Sequence, residues 1–389
     1  MSPAEASQRA GVTVATLRRW VRAGVIPQFA GEWTPAAVGQ ARVVARMRER
    51  GHSLVAIRRA TEEGRLAFGY VEGLFPPSDG HHSLSAAARE TGIGKQLIER
   101  IMSAYGAPVR ELEAVSDDEL QMLRYASAVL EAGFPLDAML QLLRVYGQAI
   151  AQIADAEVRL FHLYVHEPLM RAGIESDEIE AEMEGLTRAL LPLISPIVDQ
   201  LHQRYLQHFI EQDVIGHMET ELSDGEAGRV RIAIAFADLA GYTRLTEEEG
   251  DQTALDAVER FIDSVAVTLP DDARVIKTIG DEVMIVGSDP AGLVDWAVGF
   301  QSLQSERPLP RIGIHVGLAL YRDGDYYGRD VNIAARVAAR SAGGEVLVTR
   351  PVVEAAGSHL EFERIGEVTL KGFTQATEMF IARLADEAA

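Results

Sequence analysis

The 389-residue sequence contains no cysteine. That one absence excludes disulfides, thiolate metal sites and cysteine nucleophiles together, and it suits a reducing, cytoplasmic setting. Long apolar runs are missing too. None reaches the roughly 18 residues that cross a bilayer, and no signal-peptide pattern stands at the start, so no transmembrane segment is expected. The most apolar helical stretch, LLPLISPIV, is short and is expected to break at Pro192 and Pro196. Basic residues are scarce, with 37 Lys and Arg against 58 Asp and Glu and a net charge of −21. The scarcity is uneven. Residues 1–70 hold eleven Arg, no Lys and five Glu, a local +6, which leaves −27 for the remainder. Nucleic-acid binding outside that first segment is therefore disfavoured. Apolar content of 47% and charged content of 24% are ordinary for a globular chain of two or three domains.

The first segment reads ASQRAGVTVATLRRWVRAGVIP, with Gly11 between two short helical patterns and Thr34-Pro35 as a helix start. Over about 65 residues it resembles the winged-helix DNA-binding domain of MerR-like regulators. A gapless internal repeat follows: SLSAAARETGIGKQLIERIMSAYGAP from Ser83 aligns with SPAEASQRAGVTVATLRRWVRAGVIP from Ser2. The second copy has Glu90, Glu99, Ser103 and Ala128 where the first has Arg9, Arg18, Arg22 and Arg46. Phosphate neutralisation needs cations, so the second copy reads as a structural or docking module. Residues 137–223 follow a helical period. They end in a long helix carrying Leu201, Tyr205, Phe209, Val214, Met218 and Leu222, either core packing or a dimer-forming connector, and Ser223-Asp224-Gly225 breaks it. The expected domains are 1–72, its repeat at 80–150, a helical transducer at 151–225 and an α/β-textured domain at 229–386. The predicted class is multidomain, an all-α half followed by an α+β ferredoxin-like domain in β-α-β-β-α-β order. EFERIGEVTLKGF is expected to form a short hairpin of its own near the end.

Three blocks of that last domain carry chemistry. FADLAGYTRL sets Asp238 at the end of a strand, where alone it reads as a helix cap. VIKTIGDEVMIVG places Lys277 and Asp281 four apart across a Gly-Asp turn, either a local salt bridge or two charges with separate work. Asp238 and Asp281, on strands adjacent in such a sheet, make a paired-carboxylate site for a hard divalent cation. DGDYYGRDVNIAARVAARS puts Asn332 and Arg336 on one helix face. Arg336 suits a phosphate, or it pairs with Asp330 or Asp325.

FADLAGYT, IKTIGDEVM and DYYGRDVNIAAR together resemble the signatures of class III nucleotidyl cyclases, over roughly Arg229 to Leu384, with an N-terminal half similar to the regulatory region of some actinobacterial soluble cyclases. The resemblance implies an adenylate cyclase that turns ATP into cyclic AMP and pyrophosphate. Asp238 and Asp281 would bind two Mg²⁺ or Mn²⁺ per active site. Lys277 and Asp325 would read adenine, where guanylate-selective relatives typically carry Glu and Cys. Asn332 and Arg336 would hold the ribose and the developing charge. The backbone N–H groups of Leu239, Ala240, Gly241, Tyr242 and Thr243 would cradle the triphosphate, with Lys371 as a further phosphate contact. Phe373 stands where a second Lys often occurs. Sites would form between the chains of a homodimer, each taking metal acids from one chain and the other four residues from its partner.

Control is expected from the N-terminal half. Five of ten histidines lie at 162, 166, 202, 208 and 217, which suggests a proton as regulator; a small molecule is the alternative. The competing reading of the whole chain is a DNA-binding regulator with a nucleotide-sensing cyclase-like domain. Against it, QFAGEW lacks basic wing residues.

Overall fold

The computed structural model describes residues 1–26, 29–66, 81–107, 114–174, 176–219 and 229–385. The expected break at Ser223-Asp224-Gly225 and Leu222 lie outside the described residues, as do the side chains of His217 and Met218. The chain divides into two units, Met1–Leu206 and Gln207–Ala389.

The first unit is helical. Helices α1 (Pro3–Ala10), α2 (Val14–Arg22), α3 (Pro35–Glu49) and α4 (Leu54–Glu62) each begin at a Ser or Thr cap, and Ser2 forms a capping box with Glu5. The helix starts at 3, 14, 35 and 54 return at 84, 95, 117 and 136, offset by 81 and then by 82. These are α5 (Leu84–Thr91), α6 (Lys95–Ala104), α7 (Asp117–Glu131) and α8 (Leu136–Phe161). Each set closes its own core, around Leu17 and Trp20 in one and around Ile98 and Leu123 in the other. The second set also holds a two-stranded ribbon, β1 (His81–Ser83) with β2 (Ala114–Ser116). Among the described residues the first set has no strand.

Helix α8 passes through a π-helical turn, His162–His166, into α9 (Glu167–Arg171). Helix α10 (Ser176–Glu219) then runs 44 residues, through both Pro192 and Pro196. The expected break is therefore wrong. Two prolines four apart each remove one N–H from the ladder, at a cost of about 3 kcal/mol each, but both gaps fall on one face and the remaining bonds carry the helix across.

The second unit is one sheet. Its strands are β3 (Arg229–Leu239), β4 (Ala273–Ile279), β5 (Glu282–Gly287), β6 (Pro310–Arg322), β7 (Asp325–Tyr327), β8 (Val346–Thr349), β9 (Leu360–Thr369) and β10 (Ala376–Leu384). They lie in the order β4-β5-β3-β6-β8-β10-β9, with β7 folded back on β6. The first four give the ferredoxin-like arrangement, with α12 (Asp251–Thr268) and α13 (Pro290–Leu303) as crossovers and a short α11 (Tyr242–Glu249) after β3. EFERIGEVTLKGF does not turn back on itself. It is mostly strand β9, and the hairpin partner is β10. Within β9 Gly366 has positive φ beside a bulge, where Met379 pairs with it and Phe380 pairs with Arg364.

Strand β3 is apolar on both faces because both are covered. Ala233, Ala235, Ala237 and Leu239 face α12 and α13. Ile234 and Phe236 face α14 (Arg329–Ala338). By the same alternation Asp238 belongs to the α14 face.

Candidate active site

Asp238 is the penultimate residue of β3 and is only 8% exposed. Its register partner across the sheet is Arg311 on β6. Arg311 grips one carboxylate oxygen through Nε at 2.9 Å and again through a terminal nitrogen. On the other side β3 pairs with β5, whose hairpin with β4 turns in the two residues Gly280 and Asp281. Gly280 has φ +66, as the first position of such a tight turn demands. This brings the Asp281 carboxyl into a hydrogen bond with Asp238. Burial, that bond and the Asp238 charge push Asp281 up to about 7. Glu282 is raised too, by burial and then by Asp238, against the opposing fields of Arg311, Arg336 and Lys277.

Two carboxylates that raise each other's charging cost mark a place where a divalent cation would relieve repulsion. Among the described residues no cluster of three or more His, Asp or Glu could hold a metal. Two carboxylates without a third side chain suit Mg²⁺, which keeps waters and substrate oxygens in its shell. The donor set fits. Arg311 must yield part of its hold on Asp238 for a cation to enter.

Lys277 and Asp281 do not pair, although only four residues separate them. Lys277 donates to Asp325 on β7. A bulge in β4 arranges this. Arg274 pairs with Val286 and Val275 with Ile285, but Lys277 rather than Ile276 pairs with Met284. The extra residue puts Arg274 and Lys277, three apart, on the same face. Asp325 is fixed further by accepting from the Tyr326 backbone N–H at 2.8 Å.

Asn332 and Arg336 lie on the exposed face of α14, and among the described residues neither has a side-chain hydrogen bond or ion pair. Arg336 pairs with neither Asp330 nor Asp325. Asp330 accepts from the Leu318 backbone N–H at 2.7 Å. The opposite face of α14 is seated by two glycines of β6. A Cβ on Gly313 would lie 2.0 Å from the Ala338 nitrogen, and one on Gly317 would lie 2.2 Å from an Asp330 oxygen. The glycines of GIHVG are thus the floor on which the helix rests.

The proposed triphosphate cradle narrows. Leu239 lies within the β3–β6 ladder, and the Ala240 N–H donates to the Leu309 carbonyl at 3.0 Å. Gly241, with φ +88, opens α11 without a side-chain cap, so the N–H groups of Gly241, Tyr242 and Thr243 remain for an anion. Lys371 is exposed in the β9–β10 loop. That loop rests on α14 through Phe373, whose ring lies 5.7 Å from the Arg329 guanidinium. Phe373 therefore packs where a second lysine would have been solvated.

The structure thus places Asp238 beside Asp281 and Lys277 against Asp325 on one sheet, with Asn332 and Arg336 one turn apart on the helix α14 that covers it. Arg311 and Glu282 were not expected from the sequence. Their only signal is strand register, which places Arg311 opposite Asp238.

Comparison with known proteins follows the same division. Residues 227–383 match the adenylate and guanylate cyclase catalytic domain, and residues 30–210 match the adenylate cyclase regulatory domain. The uncharacterized protein Mb2235 of Mycobacterium bovis is 30% identical over 336 residues, covering 84% of this chain and 85% of that one. The chain belongs to the class III adenylate cyclases. The cyclase is also 28% identical to the pH-sensitive adenylate cyclase MT1302 of Mycobacterium tuberculosis, over 83% of this chain and 81% of the relative. It is 28% identical to an adenylate cyclase of Streptomyces coelicolor, over 73% and 74%. The regulatory match makes the helical half of this cyclase its regulatory region. No helix among the described residues is long and apolar enough to cross a membrane.

Proposed function

We propose that the chain converts ATP to 3′,5′-cyclic AMP and pyrophosphate at sites shared between two copies of itself. The observation that carries this is the preformed Lys277–Asp325 pair. A lysine donates to adenine N1 and an aspartate accepts from the N6 amine, whereas guanine presents a proton and an oxygen at those positions. Asn332 orients the ribose. Arg336, uncommitted to any carboxylate, donates to the α-phosphate as charge builds there. The N–H groups of Gly241 to Thr243, with Arg311 and Lys371, face the β- and γ-phosphates. Asp238 and Asp281 would hold two Mg²⁺ or Mn²⁺, which when bound lower the pKa of the 3′-hydroxyl and offset phosphate charge. The 3′-oxygen attacks the α-phosphorus in line, and pyrophosphate leaves.

Two exposed apolar surfaces support the paired state. Leu318, Leu320, Tyr321 and Tyr327 surround Asp325 on the β6–β7 hairpin. Tyr146, Ile150 and Ile153 on α8 and Ile197 and Leu201 on α10 are exposed apolar side chains at helical spacing. Incubation with Mg²⁺ or Mn²⁺ and either ATP or GTP tests the activity. Cyclic AMP is expected from ATP and little cyclic product from GTP; equal use of both would remove the adenine assignment.

Regulation by protons is supported by one contact. His166 is buried and its Nε2 donates to the Gly64 carbonyl at 2.9 Å. In the neutral ring Nδ1 must then accept, and it faces His162 Nδ1 at 3.1 Å, with Glu167 3.9 Å from His162 Nε2. A proton added at His166 Nδ1 would set it against the His162 Nδ1–H, so the contact holds as drawn only while that nitrogen is bare. Activity is expected to depend on pH through this contact. His162→Asn should remove that dependence, and an unchanged profile in that variant ends the proton reading.

The paired helix sets are read as MerR-like repeats. Arg18, Arg19 and Arg22 are exposed on α2 of the first, which keeps DNA binding as a second reading. A salt-dependent gel shift with random duplex separates the two, since phosphate contacts weaken steeply with salt.

A further inference from the structure

Arg274 has no role in the reaction as set out above, yet it is the best-held cation near the adenine-reading pair. It sits on β4, partly buried, and among the described residues no carboxylate pairs with it. Three groups hold it instead. A terminal nitrogen donates to the Tyr326 hydroxyl at 2.5 Å. Its guanidinium carbon stands 5.9 Å from the Tyr326 ring centroid and 5.6 Å from that of Phe209. Phe209 belongs to the last turns of α10, the helix that runs unbroken from Ser176.

The same residues lead into the nucleotide-reading pair. Tyr326 is 5% exposed, and its ring lies 5.1 Å from that of Tyr321. Its backbone N–H holds Asp325, and Asp325 holds Lys277. The β4 bulge puts Arg274 and Lys277 on one face, so both ends of this chain of contacts are anchored in the same strand. A planar cation bonded to the Tyr326 hydroxyl and packed against the Phe209 ring resists displacement, because both contacts are directional and the guanidinium cannot lose its proton.

We propose that Arg274 is a positioning residue: it clamps the β7 segment that carries Asp325, and through Phe209 it makes the geometry of the Lys277–Asp325 pair depend on the end of helix α10. This rests on the adenine-reading assignment of that pair. A shift or rotation of α10 would withdraw the Phe209 ring, loosen Arg274 and Tyr326, and misplace the acceptor for the adenine amine. Control by the helical half would then appear in nucleotide affinity and discrimination rather than in phosphate chemistry.

The test uses the full chain with steady-state kinetics on ATP and GTP. Arg274→Ala is expected to raise KM for ATP about tenfold, to narrow the ATP-over-GTP preference, and to change kcat much less. Phe209→Ala should move both quantities the same way. The double variant should be no worse than Arg274→Ala alone, because both substitutions cut one chain of contacts. Phe209→Tyr, which keeps a ring under the cation, should restore wild-type values. Tyr326→Phe, which keeps the ring and removes only the hydroxyl, serves if Arg274→Ala fails to fold, and is expected to raise KM in the same direction. Unchanged KM and preference in Arg274→Ala and Tyr326→Phe would overturn the proposal, as would additive effects of Arg274→Ala and Phe209→Ala. Lys277→Ala, read by equilibrium binding of ATP against GTP rather than by turnover, separates the two levels. If it leaves the nucleotide preference intact, the adenine assignment has failed; if it abolishes the preference while Arg274→Ala does nothing, the clamp alone has failed.

Discussion

Arg336→Ala is expected to lower kcat by about 10²–10³-fold, the usual cost of removing one donor aimed at developing charge. KM for ATP should move far less, because the interaction is made chiefly in the transition state. The substitution suits the question because the side chain is exposed on α14 and has no hydrogen bond or ion pair among the described residues. Nothing structural is removed with it. The melting temperature should therefore stay at the wild-type value while turnover collapses. Single-turnover measurements with ATP decide the matter. A loss below tenfold, or a loss expressed mainly in KM, would move Arg336 from charge stabilisation to ground-state binding.

Gly313→Val should be the most damaging single change to the catalytic unit. The added Cβ would meet backbone on every side, with the Ala338 nitrogen at 2.0 Å, the Ala338 Cα at 2.4 Å and the Val337 carbonyl carbon at 2.7 Å. No flexible side-chain end can swing away. Either α14 lifts from β6 or the strand buckles, and overpacking against fixed backbone costs more than about 3 kcal/mol. The side chains seated by that contact, Val331, Ala334 and Ala338, belong to the cluster that also holds Phe236, Met284 and Tyr326. Lifting the helix would therefore loosen the sheet next to Asp325 as well as displace Asn332 and Arg336. Thermal unfolding of the full chain should show the loss in the transition of the catalytic unit. A melt within a degree or two of wild type would mean that α14 is not seated on this glycine.

Much of the catalytic unit was legible because its chemistry lies in short contiguous blocks. Asp238, Lys277, Asp281, Asp325, Asn332 and Arg336 each sit in a stretch whose strand, turn or helix pattern is local. The strand at 229 and the ferredoxin-like order followed from the same patterns. What escaped depends on pairing across the sheet. Arg311 matters because register sets it opposite Asp238. Arg274 matters because a bulge at Ile276, which leaves no mark in VIKTI, turns it to the face of Lys277. Alternation alone would have placed the two on opposite faces. The helical half failed differently. Pro192 and Pro196 are strong local breakers, but a 44-residue helix tolerates two missing bonds. At the far end, KGF at 371–373 reads as part of a hairpin because Gly372 invites a turn. The turn exists, but it joins β9 to β10 rather than folding β9 on itself.

The account's central claim is that Lys277 and Asp281, four residues apart, work in different active sites of one dimer. Mixing separately purified Lys277→Ala and Asp281→Ala chains tests it directly. Each alone should be inactive, since a symmetric dimer of either lacks the same group in both sites. After exchange of chains, the mixed dimer has one site with both defects and one with neither, so cyclic AMP synthesis should recover to about one quarter of wild type, given random pairing. No recovery, with mixed dimers shown to have formed, would mean that both residues serve one site from one chain, and the shared-site reading would be wrong.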